Sequence, residues 1–172
     1  MAIYKSINSK TALKTHGGLK NCLHYILNPE KTSIENCYVI GAYEGNPDNA
    51  DKIYDQFILT KKQFNADSGR QYAHAVISFH KDERITPEQA LLLAIDFSEK
   101  AYIGHQVAIA IHEDKEHTHC HLVINTVSYI DGKKLHKSKK DLEADKEICN
   151  DLCKKYDLMF SRTNPDSEIS KI

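Results

Sequence analysis

Two apolar segments separated by a short charged turn constrain the fold of this chain more than any other feature. The first, residues 106–112, reads QVAIAIH, and the second, residues 117–130, reads HTHCHLVINTVSYI. Both segments are rich in β-branched residues, and the four residues between them, EDKE, suit a reversal of the chain. The sequence therefore predicts a β-hairpin with strands at 106–112 and 117–130.

Other strands and helices alternate along the remainder of the 172 residues. Further strands are predicted at 2–7, 37–43 and 71–80. Helices are predicted in the leucine-containing segment that is interrupted at Gly17-Gly18 and ends at Asn28-Pro29, at 49–64, from Thr86 to about Tyr102, and from about Lys140 to Tyr156. This order predicts an α+β fold, with a sheet of about five strands, antiparallel or mixed, and helices packed on its faces.

Composition limits the class of protein. A hydrophobic content of 41% is enough for a core, no apolar run is long enough to span a membrane, and the N-terminus lacks a secretory signal. We therefore expect one cytoplasmic domain at 1–160 with no membrane insertion, followed by a flexible tail at 161–172. Five cysteines, an odd and irregularly spaced number, favour reduced thiols, with Cys149 and Cys153 packing one helical turn apart.

Charge does not identify the ligand, because the net charge is −1 and most nucleic-acid-binding domains are basic. Local basic clusters do occur. The segment GKKLHKSKK at 132–140 contains five lysines and a histidine. It is either a DNA-contacting surface or a solvated loop that leads into a helix.

Four of the ten histidines lie between residues 112 and 121. Because side chains alternate along a strand, His117, His119 and His121 share one face, and His112 lies across the hairpin turn from them. Imidazole is a common metal ligand, and three imidazoles with open positions are typical of a catalytic metal site. The alternative is a polar face that happens to be rich in histidine. Asp114 is either an outer carboxylate that orients a histidine or a turn residue.

These residues resemble a known family. The relaxases are HUH-type nicking endonucleases, and this chain resembles their MobA/MobL-like members. Their third motif is similar to the pattern formed here by His112, Asp114, His117, His119, His121 and Asn125. The segment GGLKNCLHYILNPEKT at 17–32 and the strand YAHAVISFH followed by TPEQA are also similar to relaxase sequences. The resemblance covers roughly residues 1–160 and implies an HUH-endonuclease-like fold.

The resemblance implies a specific reaction. Relaxases nick single-stranded DNA at an origin of transfer, form a 5′-phosphotyrosyl intermediate, and later rejoin the strand for conjugative transfer or plasmid mobilisation. Tyr25 matches the nucleophile, with the adjacent His24 as an alternative and Tyr4 as a weaker candidate. A phenol is a poor nucleophile at neutral pH, so a metal that stabilises charge on the phosphate would complement it.

The resemblance also implies roles for the histidines and for several partners. Mg²⁺ or Mn²⁺ would be held by His112, His119 and His121, with His117 either a fourth ligand or, like Asp114, a group that assists catalysis. Imidazole ligands suit Mn²⁺ or Zn²⁺ better than Mg²⁺, so Zn²⁺ is an alternative. The partners would be single-stranded origin DNA, accessory mobilisation proteins and a coupling protein.

Residues around this motif complete the predicted site. His74 lies on the same face of its strand as Tyr72, and it is either a second-shell partner of the metal ligands or a hydrogen-bonded core histidine. Asn125 is placed beside the ligands by the motif. Lys133, Lys134 and Lys137 follow the histidine strand and are the predicted DNA contacts.

Two other functions remain open on the sequence. A rolling-circle replication initiator uses the same groups, but its tyrosine usually follows the histidines, whereas Tyr25 precedes them. A metal-containing DNA-binding module that does not nick DNA would agree with the near-neutral charge.

Overall fold

The computed structural model describes residues 2–7, 11–41, 48–113 and 117–158. Within these ranges the chain forms five strands, which make one sheet, and four α-helices. In chain order the elements are β1 (Ala2–Ile7), α1 (His16–Ile26), β2 (Cys37–Ile40), α2 (Ala50–Gln63), β3 (Tyr72–Phe79), α3 (Pro87–Ala101), β4 (Val107–His112), β5 (His119–Asn125) and α4 (Lys139–Lys155). The predicted tail at 161–172 and the predicted site residue Asp114 lie outside the described residues.

The strands have the order β1-β3-β5-β4-β2, and each neighbouring pair is antiparallel. The predicted α+β fold with an antiparallel sheet is therefore confirmed. The predicted hairpin forms the centre of the sheet, with His112 directly opposite His119. The second hairpin strand is shorter than predicted because the chain turns after Asn125, where the Ser128 amide donates to the carbonyl of Lys133.

Both faces of the sheet are packed against helices. On the α3/α4 face, Ile109 and Leu122 belong to a core that includes Phe97 and Leu152. On the α1/α2 face, a second core contains Ala110, Val123, Leu23, Ile26 and Phe57. The sequence predicted that the histidines would line a face opposite the core. They instead lie at one end of the α1/α2 face, because that face also carries packed helices.

Helix α1 positions its last turn beside this end of the sheet. The Thr15 side chain caps the helix by accepting from the Gly18 amide at 2.8 Å. A Cβ atom at Gly18 would lie 2.0 Å from the carbonyl oxygen of Ala12 in the preceding 3₁₀ turn, so only glycine fits this close approach. The predicted interruption at Gly17-Gly18 is thus the tightly packed first turn of α1.

The other helix starts follow their capping residues. Helix α3 starts after Thr86 with Pro87 in the first turn, as the sequence predicted, and Thr86 and Gln89 also form a capping box there. Ser138 and Asp141 form another at the start of α4. The described cysteines are all free thiols, and Cys149 and Cys153 are buried in the core as predicted. No helix in the described ranges is both long and apolar enough to cross a membrane.

Candidate active site

Three strands bring four histidine rings together where the central hairpin closes. The ring centroid of His121 lies 4.2 Å from that of His112, 5.4 Å from that of His74 and 6.4 Å from that of His119. We call these four residues the histidine cluster. Strand alternation accounts for His119 and His121 on β5, whereas His74 joins them because β3 pairs with β5.

Hydrogen bonds fix the orientation of two rings in the histidine cluster. The Nε2 atom of His112 donates to the carbonyl oxygen of Ile26 at 2.7 Å, which connects β4 to the last residue of α1. The Nδ1 atom of His121 is 3.1 Å from Nε2 of His74. Histidines that bind metals are commonly held in this way through the ring nitrogen that does not ligate. The arrangement is therefore chemically compatible with ligation by the other nitrogen of each ring.

Burial controls the protonation state of His74. Removal from water, with a smaller contribution from nearby His112, lowers the pKa of His74 from 6.5 to about 4. Its Nδ1 atom is 3.7 Å from the Sγ atom of Cys22, and burial raises the pKa of that thiol to about 12. At neutral pH, His74 is therefore a neutral imidazole between a protonated thiol and His121.

Tyr25 lies directly over the histidine cluster. Its ring centroid is 5.8 Å from that of His112 and 5.7 Å from that of His121, and both contacts are edge-on, with interplanar angles of 70° and 85°. The ammonium nitrogen of Lys31 lies 5.7 Å from the same ring centroid. Because 45% of Tyr25 is exposed, its phenol is accessible at the open edge of the cluster.

The two alternative nucleophiles have other surroundings. His24 points toward α2, where its Nε2 atom is 2.8 Å from a carboxylate oxygen of Asp51. Tyr4 lies in the core of the α3/α4 face, its hydroxyl is 2.6 Å from that of Tyr102, and burial raises its pKa to about 12. Tyr4 is thus on the wrong side of the sheet to act with the histidine cluster.

The donor set of the cluster fits a divalent metal by its chemistry. His112, His119 and His121 supply imidazole nitrogens, which suit Mn²⁺ or Zn²⁺. Among the described residues, however, no three histidine, cysteine, aspartate or glutamate side chains are already arranged around one common point. The ring of His117 is 5.9 Å from that of His119, two residues before β5 begins. Ligation of one metal ion by His112, His119 and His121 would therefore need their rings to rotate from these positions.

Asn125 does not adjoin the histidine cluster, contrary to prediction. It lies four residues beyond His121 on β5, a span of roughly 13 Å at the rise of an extended strand. Its amide donates to the Phe57 carbonyl and to the side chain of Gln106, and its oxygen accepts from Lys61 at 2.5 Å. Asn125 is part of a buried polar network at the opposite end of the strand.

The predicted DNA-contacting lysines also lie toward that opposite end. Lys134 pairs with Val127, which lies beyond Asn125 and therefore past the end of β5 that is opposite the histidine cluster. Its ammonium donates to the carbonyl of Ser68, whereas the side chain of Lys133 is 85% exposed. The sequence predicted that these lysines would adjoin the metal site. The direction of β5 carries them away from it.

Lys137 has a different role from the predicted one. Its ammonium is 3.1 Å from a carboxylate oxygen of buried Asp145, donates to the carbonyl of Ala101, and lies 4.9 Å from the ring centroid of Tyr102. The ion pair connects the chain before α4 to α4 itself, and the hydrogen bond to Ala101 connects it to the end of α3. Lys137 is therefore a structural residue, and Lys133 and Lys134 remain as predicted DNA contacts.

Several neighbours of the cluster were not predicted from the sequence. They are the carbonyl of Ile26, the thiol of Cys22 and the ammonium of Lys31. Helical spacing gave a usable signal for Cys22, which lies three residues before Tyr25 on α1. No local pattern identifies Ile26 or Lys31, because their contacts depend on where α1 docks on the sheet.

Comparisons with known proteins agree with this architecture. The family model for the MobA/VirD2-like relaxase nuclease domain matches residues 25–158. Two proteins from Staphylococcus aureus, each named Protein rlx, are 36% identical over 110 residues and 33% identical over 108 residues. These matches cover 64% and 63% of this chain but only 35% and 32% of the relatives. The chain therefore matches about a third of the length of these relatives.

A solved structure from work on the molecular basis of vancomycin resistance transfer in Staphylococcus aureus has the same fold. The superposition has a TM-score of 0.60 at 11% sequence identity, and it covers 91% of this chain and 92% of the other. The resemblance inferred from the histidine motif is thus confirmed by a family model that spans most of the chain. This protein belongs to the MobA/VirD2-like relaxase family and contains its nuclease domain.

Proposed function

We propose that this domain nicks and rejoins single-stranded DNA at an origin of transfer, with Tyr25 as the nucleophile. The Tyr25 hydroxyl oxygen forms a bond to phosphorus while the bond from phosphorus to the 3′ oxygen breaks. The products are a 5′-phosphotyrosyl link and a free 3′-hydroxyl, which takes up a proton. Attack by a 3′-hydroxyl on the same phosphorus reverses the reaction and releases Tyr25.

The position of Tyr25 carries this proposal. Its ring contacts both His112 and His121, and its side chain is 45% exposed. A nucleophile must reach the phosphate while the groups that stabilise the transition state reach the same phosphate. The exposure of Tyr25 and its contacts with the two histidines support this role, whereas His24 is paired with Asp51.

His112, His119 and His121 would hold the divalent metal, Mn²⁺ or Mg²⁺, with Zn²⁺ as the alternative. When bound, such a metal acts as a Lewis acid on the phosphate oxygens. His74 would orient His121 by accepting the proton of its Nδ1 atom, because these two nitrogens are 3.1 Å apart. Ile26 would orient His112 in the same way through its carbonyl oxygen.

Asp114 and His117 complete the proposed site. His117, beside His119, would accept the proton that leaves the Tyr25 hydroxyl. Asp114, which lies outside the described residues, would orient a histidine ring. Lys133 and Lys134 would bind the DNA backbone away from the nick, with accessory mobilisation proteins and a coupling protein as partners of the whole protein.

A covalent-adduct assay tests the proposed function. Single-stranded oligonucleotides tiled across the DNA that flanks the gene are incubated with the protein and Mn²⁺. We expect one oligonucleotide to form an adduct that survives denaturing electrophoresis, with the modification on the peptide that contains Tyr25. Tyr25→Phe should abolish this adduct, whereas His24→Gln should retain it.

Each other outcome of this assay contradicts part of the proposal. An adduct that persists in Tyr25→Phe would exclude Tyr25 as the nucleophile. If the parent protein binds an oligonucleotide but forms no adduct with any of them, the domain is a binding module. Nicking at a replication origin in place of an origin of transfer would identify a rolling-circle initiator.

A further inference from the structure

The loop that follows α1 folds back toward Tyr25. Asn28 fixes this loop, because its carbonyl accepts from the amides of Lys31 at 2.9 Å and Thr32 at 3.1 Å, and its side chain accepts from the amide of Glu30 at 2.9 Å. Such side-chain and backbone bonds define a tight turn. The turn returns Lys31 to the side of the helix that carries Tyr25.

Lys31 and the histidines approach the Tyr25 ring in different ways. His112 and His121 contact the ring edge-on, whereas the ammonium of Lys31 lies over the ring, 5.7 Å from its centroid. This distance is within the range of a cation–π contact. Lys31 is therefore a positive charge next to the phenol and separate from the histidine cluster.

We propose that Lys31 binds the scissile phosphate during attack by Tyr25. This inference rests on the proposed nicking function. The phosphate gains negative charge in the transition state, and a nearby ammonium stabilises that charge. The flexible four-carbon stem of lysine allows the ammonium to move from the ring of Tyr25 to a phosphate oxygen bound beside its hydroxyl.

Other described lysines near this helix are poorly placed for this contact. Lys20 on α1 is 3.8 Å from a carboxylate oxygen of Asp51 and lies over the ring of Tyr54. Lys133 and Lys134 follow the far end of β5, beyond Asn125, which is itself roughly 13 Å from His121 at the rise of an extended strand. Lys31 is therefore the described lysine that the loop geometry associates with the nucleophile.

A neutral phosphate analogue separates a charge contact from a structural role. Two oligonucleotides are made from the sequence that forms the adduct, one natural and one with a single methylphosphonate at the nick. Their affinities are measured by fluorescence anisotropy in EDTA, using Tyr25→Phe protein with and without Lys31→Met. The Phe side chain keeps the aromatic ring and prevents reaction.

We expect Lys31→Met to weaken binding of the natural strand by about 10- to 100-fold, the usual effect of losing a hydrogen bond to a charged group. The slope of log affinity against log salt concentration for the natural strand should become shallower by about 0.7, which corresponds to the loss of one phosphate contact. Binding of the methylphosphonate strand should be almost unaffected by Lys31→Met. Lys20→Met, the same change at a lysine on α1, should leave both affinities unchanged.

Two results would overturn the role of Lys31. An equal loss of affinity for the natural and methylphosphonate strands would mean that Lys31 holds the loop. No loss of affinity for either strand would mean that Lys31 does not contact the phosphate. Failure of the nicking proposal is distinguishable, because the parent protein would then form no adduct with any tiled oligonucleotide. If the parent forms an adduct and Lys31→Met gives either of these two results, the nicking proposal stands and only the contact between Lys31 and the phosphate is rejected.

Discussion

At the scale of single residues, the pair His74 and His121 makes a direct prediction about metal affinity. His74 is half-buried and neutral at pH 7, and its Nε2 atom is the hydrogen-bond partner of His121. Loss of such a partner typically lowers metal affinity about 10- to 100-fold. We therefore expect His74→Ala to bind Mn²⁺ that much more weakly than the parent, as measured by isothermal titration calorimetry.

The matched control is His105→Ala. His105 is also buried, and its Nδ1 atom donates to the carbonyl oxygen of Asn125 at 2.7 Å, at the opposite end of β5 from the histidine cluster. This variant should retain the parent affinity for Mn²⁺. If His74→Ala also retains it, His74 is only a packed core histidine, which is the alternative that the sequence left open.

At the scale of helices and strands, Gly18 determines how α1 docks. A Cβ atom at this position would lie 2.0 Å from the backbone oxygen of Ala12, and neither backbone can move cheaply. Overpacking of this kind costs about 1 to 3 kcal/mol. We expect Gly18→Ala to lower the free energy of unfolding by this amount in urea denaturation, and to reduce adduct formation because α1 carries Tyr25.

Gly17 provides an unusually close comparison. A Cβ atom there meets nothing within 4 Å, although Gly17 occupies the same turn of the same helix. Because alanine favours a helix over glycine by up to about 1 kcal/mol, Gly17→Ala should be neutral or stabilising. Equal destabilisation by both substitutions would show that the contact with Ala12 is not what requires glycine.

The buried Lys61 connects α2 to the end of β5 and predicts a pH dependence of stability. Its ammonium donates to the Gln71 carbonyl at 2.7 Å and to Asn125 at 2.5 Å, and burial lowers its pKa from 10.5 to about 7. Between pH 7 and 10.5 the unfolded chain therefore binds more protons at this lysine than the folded chain does. The contribution of Lys61 makes the protein more stable as the pH rises through this window.

The comparison with Lys61→Met isolates this contribution. From pH 7 to pH 9 the unfolding free energy of the parent should rise by about 2 kcal/mol more than that of the variant, as an order of magnitude. Urea denaturation at each pH measures the difference. Parallel pH profiles for the two proteins would show that Lys61 keeps an ordinary pKa in the folded state.

Local pattern was sufficient for most elements but not for their limits. Alternation and capping residues identified the central hairpin, the start of α3 at Thr86 and the helix that carries Tyr25. The end of β5 was missed because Val127 and Ser128 are also β-forming or neutral in pattern. A turn closed by the carbonyl of Lys133 decides that boundary, and this contact is not visible in a short window of sequence.

At the scale of the whole molecule, strand order explains what the sequence could and could not predict about the site. The contacts among His112, His119 and His121 are local to one hairpin, so alternation predicted them. The approach of His74 requires β3 to pair with β5, which are separated by α3 and β4. The direction of β5 also places Lys133 far from the histidines, although the two are close in sequence.

The basic segment at 132–140 therefore contains lysines with opposite roles, and this gives the last prediction. Lys137 pairs with Asp145, whose carboxylate is buried and has a pKa raised by that burial. Removing one partner of a buried ion pair costs about 3 to 5 kcal/mol, because the other charge remains without compensation. We expect Lys137→Met to lose this much stability at pH 8, while Lys133→Met, at an 85% exposed side chain, changes stability by less than about 0.5 kcal/mol.

Two further measurements distinguish this explanation from a general effect of lost positive charge. The loss of unfolding free energy in Lys137→Met should be smaller at pH 5, because Asp145 is then more often protonated and needs no cationic partner. The double variant Lys137→Met with Asp145→Leu should recover stability. The two variants should have the reverse effects on DNA binding. Lys133→Met should reduce the salt dependence of DNA affinity, and Lys137→Met should leave it unchanged in folded protein. Equal effects of the two lysines on stability would contradict the structural role of Lys137, since only its ammonium lies against a buried carboxylate.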